Sequence, residues 1–207
     1  MFQKIDDEKK EQLETLVKLL EFLTIVLIIY LLVSPRWLAW KYDHVYQADN
    51  QTNWQNKELV KTETEKIVVK DKLKGNYLVI PKIKVKVPIV QGKNADQALN
   101  KGAWLLPDGS QPEKGGNTII SGHRFKYLPP SNQTFYLLDK LSKGDLLTVF
   151  WQGKQYLYQV ERTEVVEPEN LSILAPSQES ILTLFTCHPI FSEKQRLVVV
   201  AKLIEVK

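Results

Sequence analysis

One cysteine, three histidines and one methionine in 207 residues leave this chain few side chains that could ligate a soft metal or act as a nucleophile. A lone cysteine excludes an intrachain disulfide, so the fold must rest on its core. No cluster with metal-ligand spacing is present, and the acidic stretch from Glu161 to Glu169 reads as a solvated loop, so neither a metal nor another cofactor is expected. No basic block stands out either. The 28 basic and 24 acidic residues are dispersed and leave a formal charge of only +4, whereas a nucleic-acid surface shows clustered basic residues with interleaved aromatics. Nucleic acid is therefore not an expected partner. Charge does not dominate the composition: 43% hydrophobic against 25% charged residues excludes a wholly disordered chain. The length suits one domain and an appendage rather than two independent domains.

Long hydrophobic runs are scarce too, and the chief one lies near the start, residues 19–33 (LLEFLTIVLIIYLLV). Its uncharged part, residues 22–35, has 14 residues, short of the roughly 18 to 20 that span a bilayer comfortably. Counted over residues 16–37, with Lys18 and Arg36 snorkelling at the ends, the span reaches about 30 Å at roughly 1.5 Å per residue. Trp37, Trp40 and Tyr42 follow as an interfacial aromatic belt. No small-residue cleavage pattern follows, which favours an uncleaved anchor over a signal peptide. The expected organisation is a cytoplasmic lead (1–15), a transmembrane anchor (16–37), a polar stalk (38–74) and a folded domain (75–207). The short lead places the N-terminus inside and the domain outside the cell membrane. The stalk, with KTETEK at 61–66, cannot bury enough surface to fold alone, although Trp54 and residues 67–69 could pack on the domain.

From Gly75 onward the texture is that of short strands. Residues 77–80 and 83–90 bracket Pro81, and IKVKVPIV alternates apolar and lysine as a half-exposed strand does. A helical turn is expected over 96–101 and a strand over 117–121 (NTIIS). A hairpin pairs 146–151 with 155–160 through 152–154, extended by 162–166, and 167–180 is a polar connection with one helical turn. Regularly spaced strands with few helices predict an all-β fold, a small closed barrel.

The chemistry concentrates in residues 182–196, LTLFTCHPIFSEKQR, where the single cysteine is followed nine positions later by an arginine. Apolar runs at 181–186 and 197–204 flank an eight-residue polar stretch, 188–195, and predict two antiparallel strands joined by a loop. In that pair Cys187 and Arg196 stand opposite each other at roughly 4.5 to 5.5 Å between Cα atoms. Side chains alternate along a strand, so His188 points away from its neighbour Cys187. His123, in NTIISGHR at the end of another apolar strand, is the better imidazole partner for a cysteine nucleophile. Arg196 carries the fixed charge and forked donors suited to a carbonyl or tetrahedral oxyanion. The backbone amide of His188 is a candidate second donor, and Thr186 is expected to line the substrate groove.

TLFTC at 183–187, SGHR at 121–124 and Arg196 opening the last hydrophobic strand together resemble the sortases, membrane-anchored cysteine transpeptidases of bacterial cell surfaces. The resemblance covers about residues 75–207 and implies an eight-stranded sortase-type β-barrel with short helices. It also implies that His123 lies beside Cys187, as imidazolium partner and then general acid. The implied reaction cleaves an LPXTG/LAXTG-like sorting signal between Thr and Gly, holds the protein as a Cys187 thioester and passes it to an amine. Implied partners are secreted proteins bearing a C-terminal sorting motif and an amine acceptor, a lipid-linked cell-wall precursor or a pilin lysine. The TCHPIFS segment is closest to the class E housekeeping type, and no Asp-Pro-aromatic lid segment precedes the domain, unlike a pilin polymerase. Ala103-Trp104-Leu105-Leu106-Pro107 departs from the His-Tyr-Pro-like segment of many relatives. The alternatives are a catalytically inactive surface binding domain and a cysteine protease that hydrolyses the acyl-enzyme. A papain-like order, cysteine before histidine, is the reverse of that found here.

Overall fold

The computed structural model describes residues 2–46, 51–71, 74–126 and 132–207. Two units divide the chain, Met1–Val45 and Tyr46–Lys207. The first is a single 45-residue helix, α1 (Phe2–Tyr46). Within it Lys10–Ser34 is long and apolar enough to cross a membrane, and its side chains pack on no other part of the unit. The helix outruns the expected span at both ends, so residues 2–15 of the lead are helical as well.

The second unit begins well before Gly75. Asn56 caps helix α2 (Lys57–Asp71), its side-chain oxygen accepting from the backbone N–H groups of Glu58 and Leu59 at 3.0 and 3.2 Å. Trp54 and Val60 are buried in one cluster with Leu146 and Leu157 of the barrel. Lys61 reaches Glu205 at 2.6 Å, and Glu65 accepts from Lys207 at 3.2 Å. The polar stalk expected over 38–74 is thus, over 51–71, part of the folded unit. Its few apolar residues could not stabilise a helix alone; the barrel supplies the missing surface.

Eight strands follow: β1 (Tyr77–Ile80), β2 (Val85–Gln91), β3 (Ala103–Leu105), β4 (Asn117–Ser121), β5 (Leu146–Trp151), β6 (Lys154–Val166), β7 (Ile181–His188) and β8 (Gln195–Val206). Helix α3 (Ala95–Leu99) lies between β2 and β3. The strands close into a barrel in the order β1-β2-β3-β4-β7-β8-β6-β5, which leaves no unpaired edge. Pairing is antiparallel except at β2–β3 and β4–β7. The β5–β6 hairpin turns on Gln152 and Gly153, both left-handed at φ 49° and 81°, the backbone that a two-residue turn between twisted strands requires.

Alternation along the strands sorts the core. Leu182 and Leu184 of β7 lie level with Ile120 of β4 and with Ala201 and Val199 of β8, and all are buried. This face is the barrel interior, and each large aliphatic side chain there contributes roughly 1.5 to 3 kcal/mol relative to exposure. Lys82 and Asp145 form a buried ion pair at 2.8 Å, and Asp145 also accepts from the Ser142 N–H. The pair ties the 3-10 turn Pro81–Ile83 to the start of β5.

Candidate active site

The β7–β8 ladder sets the first half of the site. Cys187 is paired with Arg196, as the spacing predicts, and the ladder runs one step further to His188 and Gln195. The connecting loop is therefore 189–194, shorter than the polar stretch suggested. His188 remains in regular strand, so its side chain leaves by the face opposite Cys187; its Nδ1 atom is buried without a hydrogen-bond partner.

The other half comes from β4, parallel to β7 with Ser121 level with Phe185. Two hydrogen bonds carry the alignment past the strand end: the Gly122 N–H donates to the Phe185 carbonyl at 3.2 Å, and the Thr186 hydroxyl donates to the Gly122 carbonyl at 2.7 Å. One residue later His123 arrives level with Cys187, its carbonyl accepting from the Phe135 N–H at 2.8 Å. Glycine is required at 122, because a Cβ there would lie 2.7 Å from the Phe135 ring. His123, two residues past the end of β4, thus lines one cavity with Cys187 of β7, and Cys187 is paired across the ladder with Arg196 of β8.

Thr186 does not line the groove. It is buried and spends its hydroxyl on Gly122, because alternation that presents Cys187 outward turns its neighbour inward. The residue helps place His123 instead.

The cavity, of about 240 Å³, is lined by His123, Arg124, Phe125, Cys187, Phe191, Ser192 and Glu193. Arg196 is not among these residues. Its Nη1 donates to the carbonyls of Glu193 and Gln195 at 2.9 and 3.0 Å, so the guanidinium is held against the β7–β8 loop. Its charge has no carboxylate partner among the described residues, which leaves it available to a developing oxyanion. Burial, and then the charge of Lys126, push the His123 imidazole below its ordinary range, with Asp96 opposing. A neutral imidazole beside a free thiol can accept its proton and return it to a leaving amine.

Several lining residues escaped the sequence reading. Arg124 is buried and paired with Asp139 at 2.7 Å; only its place in SGHR hinted at it. Phe125 meets Phe191 edge-on with centroids 4.5 Å apart, and Tyr136 stands 6.1 Å from Phe125 on the same measure. Phe191 is 78% exposed, a surface aromatic that nothing in the sequence singled out. Among the described residues no group of three or more His, Cys, Asp or Glu side chains could hold a metal ion.

Known proteins share the fold. The sortase domain family matches residues 78–204. Sortase D of Bacillus subtilis is 33% identical over 116 residues, covering 56% of this chain and 54% of that protein. Sortase SrtE1 of Streptomyces coelicolor is 33% identical over 141 residues, 61% of this chain and 39% of the relative. The chain therefore spans only about half, or less, of the length of these two relatives. Among solved structures, the pilus-related sortase C of Group B Streptococcus superposes with a TM-score of 0.57 at 34% identity, covering 64% of this chain and 68% of that one. The match embraces all eight strands from Leu78 to Ile204 and the residues His123, Cys187 and Arg196, and on that ground the chain belongs to the sortase family.

Proposed function

We propose that this chain is a membrane-anchored cysteine transpeptidase that cleaves an LPXTG- or LAXTG-like sorting signal and transfers the acyl part to an amine. The observation that carries the proposal is the one cavity that His123 and Cys187 line together, with Arg196 paired to Cys187 across the ladder. His123 takes the Cys187 proton, and the thiolate attacks the carbonyl carbon of the Thr–Gly bond. The oxyanion is held by the Arg196 guanidinium and the His188 backbone N–H. As the tetrahedral intermediate collapses, the C–N bond breaks and His123 protonates the departing amine, leaving a Cys187 thioester. The acceptor amine then attacks the thioester carbonyl and gives its proton to His123. The C–S bond breaks, and the thiolate recovers that proton.

Identity to Sortase SrtE1 supports the class E reading; the LAXTG-like signal and a lipid-linked cell-wall precursor as acceptor rest on the family resemblance. Likeness to a pilus-related sortase supports a pilin lysine as the competing acceptor. The Lys10–Ser34 segment of α1 supports a membrane anchor, and the short lead before it supports placing the N-terminus inside and the barrel outside.

The test is intact mass of the full chain in detergent after incubation with LPXTG and LAXTG peptides, with and without triglycine. A thioester adduct that Cys187→Ala abolishes, and that triglycine resolves into an amine-linked product, is the expected result. Adducts that resolve to free acid even with triglycine would identify a hydrolase. A Cys187 that neither peptide nor an alkylating reagent labels would leave a binding domain.

A further inference from the structure

Beyond Ser121 no ladder holds the chain, because the β4–β7 pairing ends at Ser121 and Phe185. His123 therefore takes its place from contacts made past the strand end, and residues 122–125 make them in turn with a single block, residues 134–141. Gly122 backs onto the Phe135 ring. The His123 carbonyl accepts from the Phe135 N–H at 2.8 Å. Arg124 Nη2 donates to Asp139 Oδ1 at 2.7 Å, and the Phe125 ring stands 6.1 Å from that of Tyr136 between centroids.

That block is well anchored. Thr134, Phe135, Leu137, Leu138 and Leu141 are buried, and the Leu138 and Lys140 N–H groups donate to the carbonyls of Phe135 and Leu137 at 3.1 and 2.9 Å, winding the 3-10 turn Leu138–Lys140. Asp139 is presented from this turn with its oxygens divided: Oδ1 serves Arg124, and Oδ2 accepts from Lys140 Nζ at 3.1 Å. Arg124 stands out among the four loop residues. Its side chain is only 4% exposed, yet it lines the cavity with His123 and Cys187, as Arg196 does not. Stability does not require such a pair, since apolar side chains of similar volume often hold a fold as well or better. Direction does require it, because a planar guanidinium bonded to a fixed carboxylate sets the line of its own backbone. Tethers at Gly122 and at the His123 carbonyl leave the segment free to turn about the line joining them. The third tether, at Arg124, removes that turn.

We propose that Asp139, acting through Arg124, is a positioning residue for His123: the ion pair stops the loop from turning and keeps the imidazole facing the Cys187 thiol. Its effect on turnover rests on the transpeptidase reading above, whereas the orientation of the imidazole does not. A small rotation is enough to matter, because proton transfer between thiol and imidazole needs hydrogen-bond reach.

Full-length chain in detergent, wild type and D139N, D139E, R124K and the double variant R124M/D139L, would be compared by peptide kcat and KM and by urea denaturation. The imidazole resonances of His123, one of three histidines, would be recorded for each with and without Cys187→Ala. In the wild type Cys187→Ala should shift them, since the thiol faces the ring. D139N should abolish that response and lower kcat about tenfold to a hundredfold with KM within about twofold, and D139E and R124K should restore part of both. The double variant should regain the stability that D139N loses without regaining kcat. Recovery of kcat together with stability overturns the proposal, as does a His123 response to Cys187→Ala that is missing in the wild type or survives in D139N. Should D139N fail to fold, the double variant decides by the same two criteria. A wild-type chain that no peptide acylates refutes the transpeptidase reading, while the resonances still decide whether the ion pair orients His123.

Discussion

At the scale of single residues, the site depends on how His123 is charged and how closely it is placed. A step that needs neutral imidazole is fully available above the His123 pKa and is lost as pH falls through it. Burial and Lys126 hold that pKa below the ordinary value, near 6.5 for an exposed imidazole. Acylation should therefore persist to lower pH than a solvated histidine would allow. Lys126→Ala removes a lowering influence and should move the acid limb of the acylation profile to higher pH, whereas Asp96→Asn should move it lower. Imidazole chemical shifts of His123 across the same range check that the limb belongs to this residue, and shifts in the reverse directions would refute the assignment. Placement is a matter of packing. In Gly122→Ala the new methyl meets the Phe135 ring, which is buried and cannot retreat. Overpacking of this kind costs about 1 to 3 kcal/mol and displaces His123 from Cys187. Urea denaturation should show the lost stability, and peptide acylation should fall further than the folded fraction does.

At the scale of elements, α2 and the barrel are one cooperative body. Trp54→Ala removes the largest side chain of the cluster with Val60, Leu146 and Leu157 and should cost about 3 to 5 kcal/mol, as large-to-small changes of aromatic core residues do. A fragment starting at Gly75 should then melt well below one starting at Gln51; equal melting temperatures would mean that α2 adds nothing. The Lys82–Asp145 pair offers a second check. Lys82→Met strands a buried carboxylate, and breaking such pairs costs about 3 to 5 kcal/mol, moderated here by the Ser142 N–H that Asp145 keeps. The chevron of the variant would show whether the loss falls on unfolding or on refolding.

For the molecule as a whole, the apolar N-terminal helix and the barrel belong to separate units. Deleting residues 1–45 should release the chain from membranes to the soluble fraction while the peptide acylation rate of the barrel is retained; alkaline carbonate extraction of the full chain should leave it in the membrane pellet. The division between sequence and structure runs along the same scale. Composition and local pattern determined the apolar segment, the all-β character, the pairing of 146–151 with the strand after it and the Cys187–Arg196 pairing, because each depends on residues close in the chain and on strand periodicity; the turn itself is one residue shorter than the 152–154 loop expected, since Lys154 already pairs with Trp151. Even there the inward turn of Thr186 was implicit in the alternation that presents Cys187 outward. Tertiary structure alone decided that His123 comes level with Cys187, that α2 docks on the barrel, that Phe125, Phe191 and Glu193 wall the cavity and that Asp139 pairs with Arg124. These rest on a parallel β4–β7 pairing and on burial contributed by distant segments, and no short-range pattern encodes which distant backbone will meet which.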